Sequence, residues 1–310
     1  MASKEPLNAA DYIVPLYMNG LYGRMLHLPA PANKKREMLL VYGHHASIER
    51  MLGLAEDLNQ YGAVTLPDLP GFGGMQSFYQ IGEEPTLDNL ADYLAAFVKL
   101  RYKRKRVTLM GMSFGSLVVT RMLQKHPELI KKVDLVISIV GFAHHEDFKF
   151  SKKTYRFFKF AAKFFSLPVP AWIVRHILLR KTFIRLTYYL VADKHVKMKD
   201  ADRDERKRRI DFEIGLWHCN DVRTYMYTSG IMLNVDLCNA QVNLPVYHVA
   251  VDDDRYFDNA RVEQHLKVIY NDVKMIPSPM IGHAPTVIAD ADSAAPFVPA
   301  RVRRLLRATS

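Results

Sequence analysis

Ser113 stands in Gly111-Met112-Ser113-Phe114-Gly115, a G-x-S-x-G pattern. The apolar run Val107-Thr108-Leu109-Met110 precedes it, and a helix-length segment from Ser116 to His126 follows. A serine between a strand and a helix sits on a sharp turn where side chains two positions away would collide, and Gly111 and Gly115 remove those side chains. Such a turn holds the hydroxyl clear of the sheet. The first turn of the next helix points free N–H groups and its positive dipole end into the same space. Nucleophilic attack on a carbonyl is the chemistry that suits these residue types at this spacing.

A serine hydroxyl is a weak nucleophile at neutral pH. A histidine must take its proton, and a carboxylate must hold that imidazole in the right tautomer. In open α/β sheets such groups come from loops at the carboxyl ends of strands. His283, in Ile281-Gly282-His283-Ala284-Pro285, follows the last predicted strand and is the expected base. The carboxylate is expected after the preceding strand, where Asp252, Asp253 and Asp254 stand in a row; Glu146 or Asp147, after the sixth strand, is a remoter choice. An oxyanion needs two N–H donors. One is expected from Phe114, and the other from the backbone of His44, in the loop that follows Tyr42-Gly43. The adjacent imidazoles of His44 and His45 have no carboxylate or further histidine at ligand spacing along the chain, so no metal is expected, and attack by a serine of this kind calls for no cofactor.

The elements that must position these groups are legible as alternating runs. Tyr12 to Met18 and Leu21 to Leu28 read as strands joined by Asn19-Gly20, a dipeptide suited to a tight hairpin. Buried strands are expected at Glu37 to Tyr42, Ala63 to Leu66, Val107 to Met110, Val133 to Val140, Leu244 to Val251 and Val273 to Ile276. Between them, helices are expected from about Ile48 to Tyr61, from Thr86 as cap to Leu100, after Ser113, and from Asn259 to Tyr270; a basic helix from Pro296 to Arg307 closes the chain. This alternation predicts a mainly parallel sheet covered on both faces. It breaks at about His144 and resumes after Leu233. Residues 144–233 therefore read as a helical insertion into one core formed by 1–143 and 234–310.

At this point the chain resembles the α/β-hydrolase superfamily, in its serine-nucleophile branch with a helical cap, close to carboxylesterases and lipases. The motifs that carry the likeness are the Gly111 to Gly115 elbow, Asp68-Leu69-Pro70-Gly71-Phe72-Gly73 after the fourth strand, Asp254-Arg255 and Gly282-His283. The resemblance implies an eight-stranded, mainly parallel sheet flanked by helices. It also selects Asp254 over Asp252 as the acid, completing the order Ser113, Asp254, His283. The family's usual histidine before the oxyanion glycine is Tyr42 here, which implies an altered hydrogen-bond network behind Gly43. Serine at the elbow, where epoxide hydrolases and haloalkane dehalogenases of this branch carry aspartate, implies acyl transfer to water from a small apolar ester. The alternatives are lactone, thioester or C–C bond hydrolysis by the same three residues, or a silent lipid- or ligand-binding protein.

Composition narrows the setting. The first dozen residues carry no apolar export signal, and no uncharged run reaches membrane-spanning length, so a cytoplasmic chain is expected, with Cys219 and Cys238 as free thiols. The net charge of +11 is concentrated in one place: residues 149–209 hold 18 Lys and Arg against 5 Asp and Glu. Twelve aromatic residues lie among these charges between Phe148 and Tyr189. Helical spacing would give them an apolar face that roofs the active site, and a cationic face. Peripheral contact of the same helices with an anionic membrane is a second expected use. Nucleic acid is not an expected partner, because no recognised binding motif accompanies the charge. The mixed charges from Asp200 to Arg209 read as an exposed helix face.

Overall fold

The computed structural model describes residues 8–191, 202–279, 283 and 291–308. Its first two strands, β1 (Ile13–Met18) and β2 (Leu21–Leu28), form an antiparallel hairpin. Asn19 and Gly20 both take positive φ, 53° and 78°, the backbone that a two-residue turn between right-twisted strands requires. There follow β3 (Arg36–Val41), α1 (Leu52–Asn59), β4 (Gly62–Pro67), α2 (Leu87–Arg101), β5 (Val107–Met112), α3 (Phe114–Lys125) and β6 (Val133–Ile139). The sheet order is β1-β2-β4-β3-β5-β6, continued by β7 (Val242–Val251) and β8 (Tyr270–Ser278). Only β2 opposes its neighbours on both sides; every pairing from β4 to β8 is parallel. This is the eight-stranded, mainly parallel sheet implied by the resemblance.

Burial explains why the central strands read as unbroken apolar runs. Every residue of β3, β4 and β5 is buried, as expected for strands covered on both faces. Leu39, Leu40, Leu109, Met110, Ile137 and Val249 are wholly enclosed in one continuous core, and each such side chain stabilises the fold by about 1.5–3 kcal/mol. On the helices, α2 packs against α3, and Thr86 caps α2 by accepting the Asn89 N–H at 3.0 Å. After β7 come α9 (Asn259–Ile269), which lies on β8, and then α10 (Ala291–Ala294) and α11 (Ala300–Ala308).

Two helix starts differ from the sequence reading. The segment from Ile48 opens as a 3₁₀ turn, Ile48–Met51, before α1 begins. The last helix starts at Ala300 because Pro296 initiates a separate 3₁₀ turn, Ala295–Phe297. Both cysteines are free.

Between β6 and β7 the chain forms α4 (Lys152–Phe165), α5 (Pro168–Ile173), which runs on as a π-helical turn Val174–Leu178, α6 (Lys181–Val191), α7 (Arg203–Cys219) and α8 (Val222–Met232). No strand lies there among the described residues; isolated bridges at His144 and Phe148 tie the segment's entry to Asp236 and Phe257. The start of the mixed-charge stretch, Asp200, lies outside the described residues.

This segment is fastened to the core through α7 and α8. Asp221 N–H donates to Gly71 O at 2.8 Å, Gly73 N–H to Asn220 Oδ1 at 2.8 Å, and Thr224 Oγ1 meets Ser77 Oγ at 2.7 Å. The expectation that the Phe148 to Tyr189 aromatics form the roof is corrected for the rings of α4 to α6, whereas Phe148 does pack inward, against Phe142 and Phe257. α4 turns its small side toward α8, with Ala162 opposite Gly230. Its stripe Phe157, Phe160 and Phe164 is therefore exposed, as are Trp172 and Phe183 further on.

Candidate active site

The serine turn is built from close backbone approaches. Ser113 has φ 49° and ψ −116°, a conformation that L-residues avoid unless their surroundings impose it. Its N–H donates to Ile139 O at 2.8 Å, tying the turn to the end of β6. A Cβ on Gly115 would lie 2.2 Å from Val41 O, and one on Gly111 would lie 2.7 Å from Ser116 Cα. The expected role of both glycines thus has a definite steric basis: α3 can begin this close to β3 and β5 only without side chains there.

The three separated sequence positions meet at this turn. His283 Nε2 lies 3.0 Å from Ser113 Oγ, and His283 Nδ1 lies 2.7 Å from Asp254 Oδ2. Gly282, which precedes His283 in the motif, lies outside the described residues. Among the three adjacent acids, Asp254 is 3% exposed, whereas Asp252 and Asp253 are exposed. Asp254 Oδ1 also accepts the N–H groups of Tyr256 at 2.8 Å and Phe257 at 3.2 Å. Burial alone would push this carboxyl's pKa up, but the His283 hydrogen bond and the two amides outweigh it and hold the pKa below the ordinary value. A carboxylate kept ionised in this way fixes the imidazole proton on Nδ1, leaving Nε2 to accept the serine proton. Asp147 is engaged elsewhere: its Oδ1 meets His265 Nδ1 at 2.6 Å, and its Oδ2 accepts the N–H groups of Ala143 and His144.

The loop after β3 lies directly against the serine, since a Cβ on Gly43 would stand 3.2 Å from Ser113 Cβ. His44 follows in that loop. Phe114 is the first residue of α3, where backbone N–H groups have no helical partner. The His44 ring packs edge-on against Phe114 and Phe72 and tilts onto Tyr225 of α8, while its Nε2 lies 2.9 Å from Thr228 Oγ1 and 3.2 Å from Tyr225 O. Burial, with His45 adding to it, pushes the His44 pKa down to about 3, so the ring is neutral. His45 has a carboxylate nearby that spacing along the chain does not show: α7 brings Glu213 Oε2 to 3.4 Å from His45 Nε2 and Glu213 Oε1 to 3.5 Å from Arg50. That contact is tertiary and leaves no trace in local spacing.

The altered network behind Gly43 is also defined. The Tyr42 hydroxyl donates to Asp68 Oδ1 at 2.9 Å and accepts the Leu69 N–H at 3.0 Å; Asp68 Oδ2 accepts from Arg24 Nε at 2.8 Å. Tyrosine thus pins the Asp68 to Gly73 segment to β3.

Two groups of residues around the site escaped the sequence reading. Rings of Tyr256 and Phe257 stand edge-on to His283 at 5.2 and 5.1 Å, and Phe257 stacks on Phe142 at 4.4 Å, enclosing the base in apolar surface. Beneath the elbow, His248 Nδ1 meets Ser138 Oγ at 3.0 Å, Ser138 Oγ donates to Ser116 Oγ at 3.2 Å, and Ser116 Oγ accepts it while donating to Gly111 O at 2.6 Å. Burial pushes the His248 pKa down to about 4. A histidine in the run Val246 to Val251, between Tyr247 and Val249 of β7, was the one available signal for this buried chain of polar groups.

Comparison with known proteins agrees with this architecture. Residues 32–283 match the family model described as serine aminopeptidase, S33. No curated protein matches. Among solved structures, a lipase described as putative from Acinetobacter baumannii AYE superposes with a TM-score of 0.65 at 13% identity, covering 96% of this chain and 92% of that one. A thermophilic esterase from Thermogutta terrifontis gives 0.57 at 17% identity, covering 96% and 97%. The N-formylmaleamic acid deformylase of Pseudomonas putida S16 gives 0.60 at 17%, covering 87% and 94%. At these identities the likeness is one of fold.

Proposed function

The chain belongs to the α/β-hydrolase family of serine aminopeptidases, S33, and on that footing we propose that it is a serine hydrolase cleaving carboxylic esters of an apolar substrate. The observation that carries this reading is the alignment of Asp254, His283 and Ser113 through contacts of 2.7 and 3.0 Å at a serine held with φ 49°. In the reaction, Ser113 Oγ attacks the ester carbonyl as its proton passes to His283 Nε2. Asp254 stabilises the imidazolium through Nδ1. The Phe114 and His44 N–H groups hold the oxyanion of the tetrahedral intermediate. His283 then protonates the departing alkoxide, leaving an acyl-serine that a water, deprotonated by the same imidazole, hydrolyses.

The aromatic surroundings of His283 and His44 favour an apolar ester over a substrate held by its charged α-amine. That distinction matters because the family description names an aminopeptidase. A series of p-nitrophenyl esters of increasing acyl length, run beside aminoacyl p-nitroanilides, tests it. Turnover of the esters, with kcat/KM rising as the acyl chain lengthens, is expected. Turnover of the anilides with inert esters would overturn the substrate assignment while leaving Ser113 as nucleophile.

A further inference from the structure

The outer helices α4, α5 and α6 carry an apolar surface that nothing else in the described chain covers. Phe160 and Val169 are each 68% exposed, Phe157 65% and Trp172 58%; Ile177, after α5, and Phe183 and Leu186, on α6, are exposed as well. On α4 the spacing Phe157, Phe160, Phe164 places the rings on one stripe, and Phe160 and Phe164 stack at 6.0 Å. Large apolar side chains exposed in this number mark an interaction site.

Its charge identifies the occupant. From 148 to 191 the sequence holds ten Lys and Arg and no Asp or Glu, and Lys152, Lys153, Arg156 and Lys163 are exposed on the same helix as the phenylalanines. A second copy of this chain would bring ten cations against ten, which opposes a symmetric dimer through this face. An anionic lipid surface complements both features, with rings entering the acyl boundary and ammonium and guanidinium groups meeting headgroup phosphates and carboxylates.

Length fixes the mode of contact. Among the described residues no single helix is long and apolar enough to cross a bilayer, and the one pair whose combined length and composition would suffice, Lys152–Phe165 with Pro168–Leu178, is bent by 90°. α4, with 14 residues, spans about 21 Å, short of the roughly 30 Å hydrocarbon core. We propose that α4, α5 and α6 form an in-plane docking face for an anionic membrane. The face sits one helix away from the serine site: α4 and α5 pack on α8, whose Tyr225 and Thr228 hold His44. The docking does not depend on catalysis.

Vesicle flotation of the full chain tests this, with phosphatidylserine-containing vesicles compared to pure phosphatidylcholine at low and high salt. The expected result is partition onto the anionic vesicles, weakened about tenfold by high salt. The substitutions Phe157→Ser, Phe160→Ser and Trp172→Ser should each weaken it by about tenfold while leaving the unfolding midpoint unchanged. In Trp217→Phe, Trp172 is the sole tryptophan, and its emission should shift to the blue and be quenched by brominated lipid. Ser113→Ala should bind as wild type does, which separates this test from the catalytic one. Absence of partition at low salt, or partition with Trp172 unquenched, would overturn the proposal. So would a lipid-free dimer that Phe160→Ser dissociates, which would assign the face to a second copy.

Discussion

At the level of single residues, the site rests on three groups brought together from three loops and on two glycines that let them meet. Asp254 and Asp252 lie two positions apart, yet only Asp254 is buried and bonded to His283. Asp254→Asn should lower kcat about 10⁴-fold by stabilising the wrong tautomer, whereas Asp252→Asn should leave kcat within about twofold; steady-state kinetics on one ester decide between them. Gly115→Ala should destabilise the protein by about 3 kcal/mol, since its Cβ would stand 2.2 Å from Val41 O, and urea unfolding measures this. These residues were legible because their signals are local: a glycine two positions either side of a serine, and a histidine or acid just past a strand. The choice among adjacent acids needed the family likeness, because exposure is set by how the loop folds back on Val251. His248, Ser138 and Ser116 were not legible as a unit, because they come from β7, β6 and α3 and meet only in the assembled sheet.

At the level of elements, the central strands were legible to within one or two residues, because β3, β4 and β5 are buried on both faces and so read as continuous apolar runs, whereas β8, read as Val273 to Ile276, runs from Tyr270 to Ser278 because its half-exposed ends carry polar residues. The helices between β6 and β7 were legible as helices, but the direction of their apolar faces was not. A pattern of rings and lysines at helical spacing is the same whether the rings face the core or away from it; the choice is made by Ala162 packing opposite Gly230. What fastens this segment is polar and tertiary. Glu213 is 1% exposed and reaches both Arg50 and His45. Replacing it with alanine leaves the buried Arg50 guanidinium without that partner and should cost about 3–5 kcal/mol. If α7 docking positions His44 through α8 and its neighbours, ester turnover should fall with it. An unfolding midpoint equal to wild type would remove Glu213 from this role.

At the level of the whole molecule, the buried histidines tie stability to pH. His44 and His248 sit at about 3 and about 4 in the folded protein, against the ordinary 6.5. As pH falls through 6.5 the unfolded chain takes up protons that the folded protein refuses, so this contribution to stability is full above that value and lost on acidification. The expected slope is about 1.4 kcal/mol per pH unit for each histidine between about pH 6 and pH 4. Urea unfolding across that range measures it, and His248→Asn should remove roughly half of the slope. A sheet, an insertion and two loops must all be in register for Ser113 to react, so its reactivity reports on the assembled molecule. A fluorophosphonate, followed by intact mass, should add one adduct to the folded wild type and none to Ser113→Ala; a folded wild type that stays unmodified would contradict the assignment of Ser113 as nucleophile.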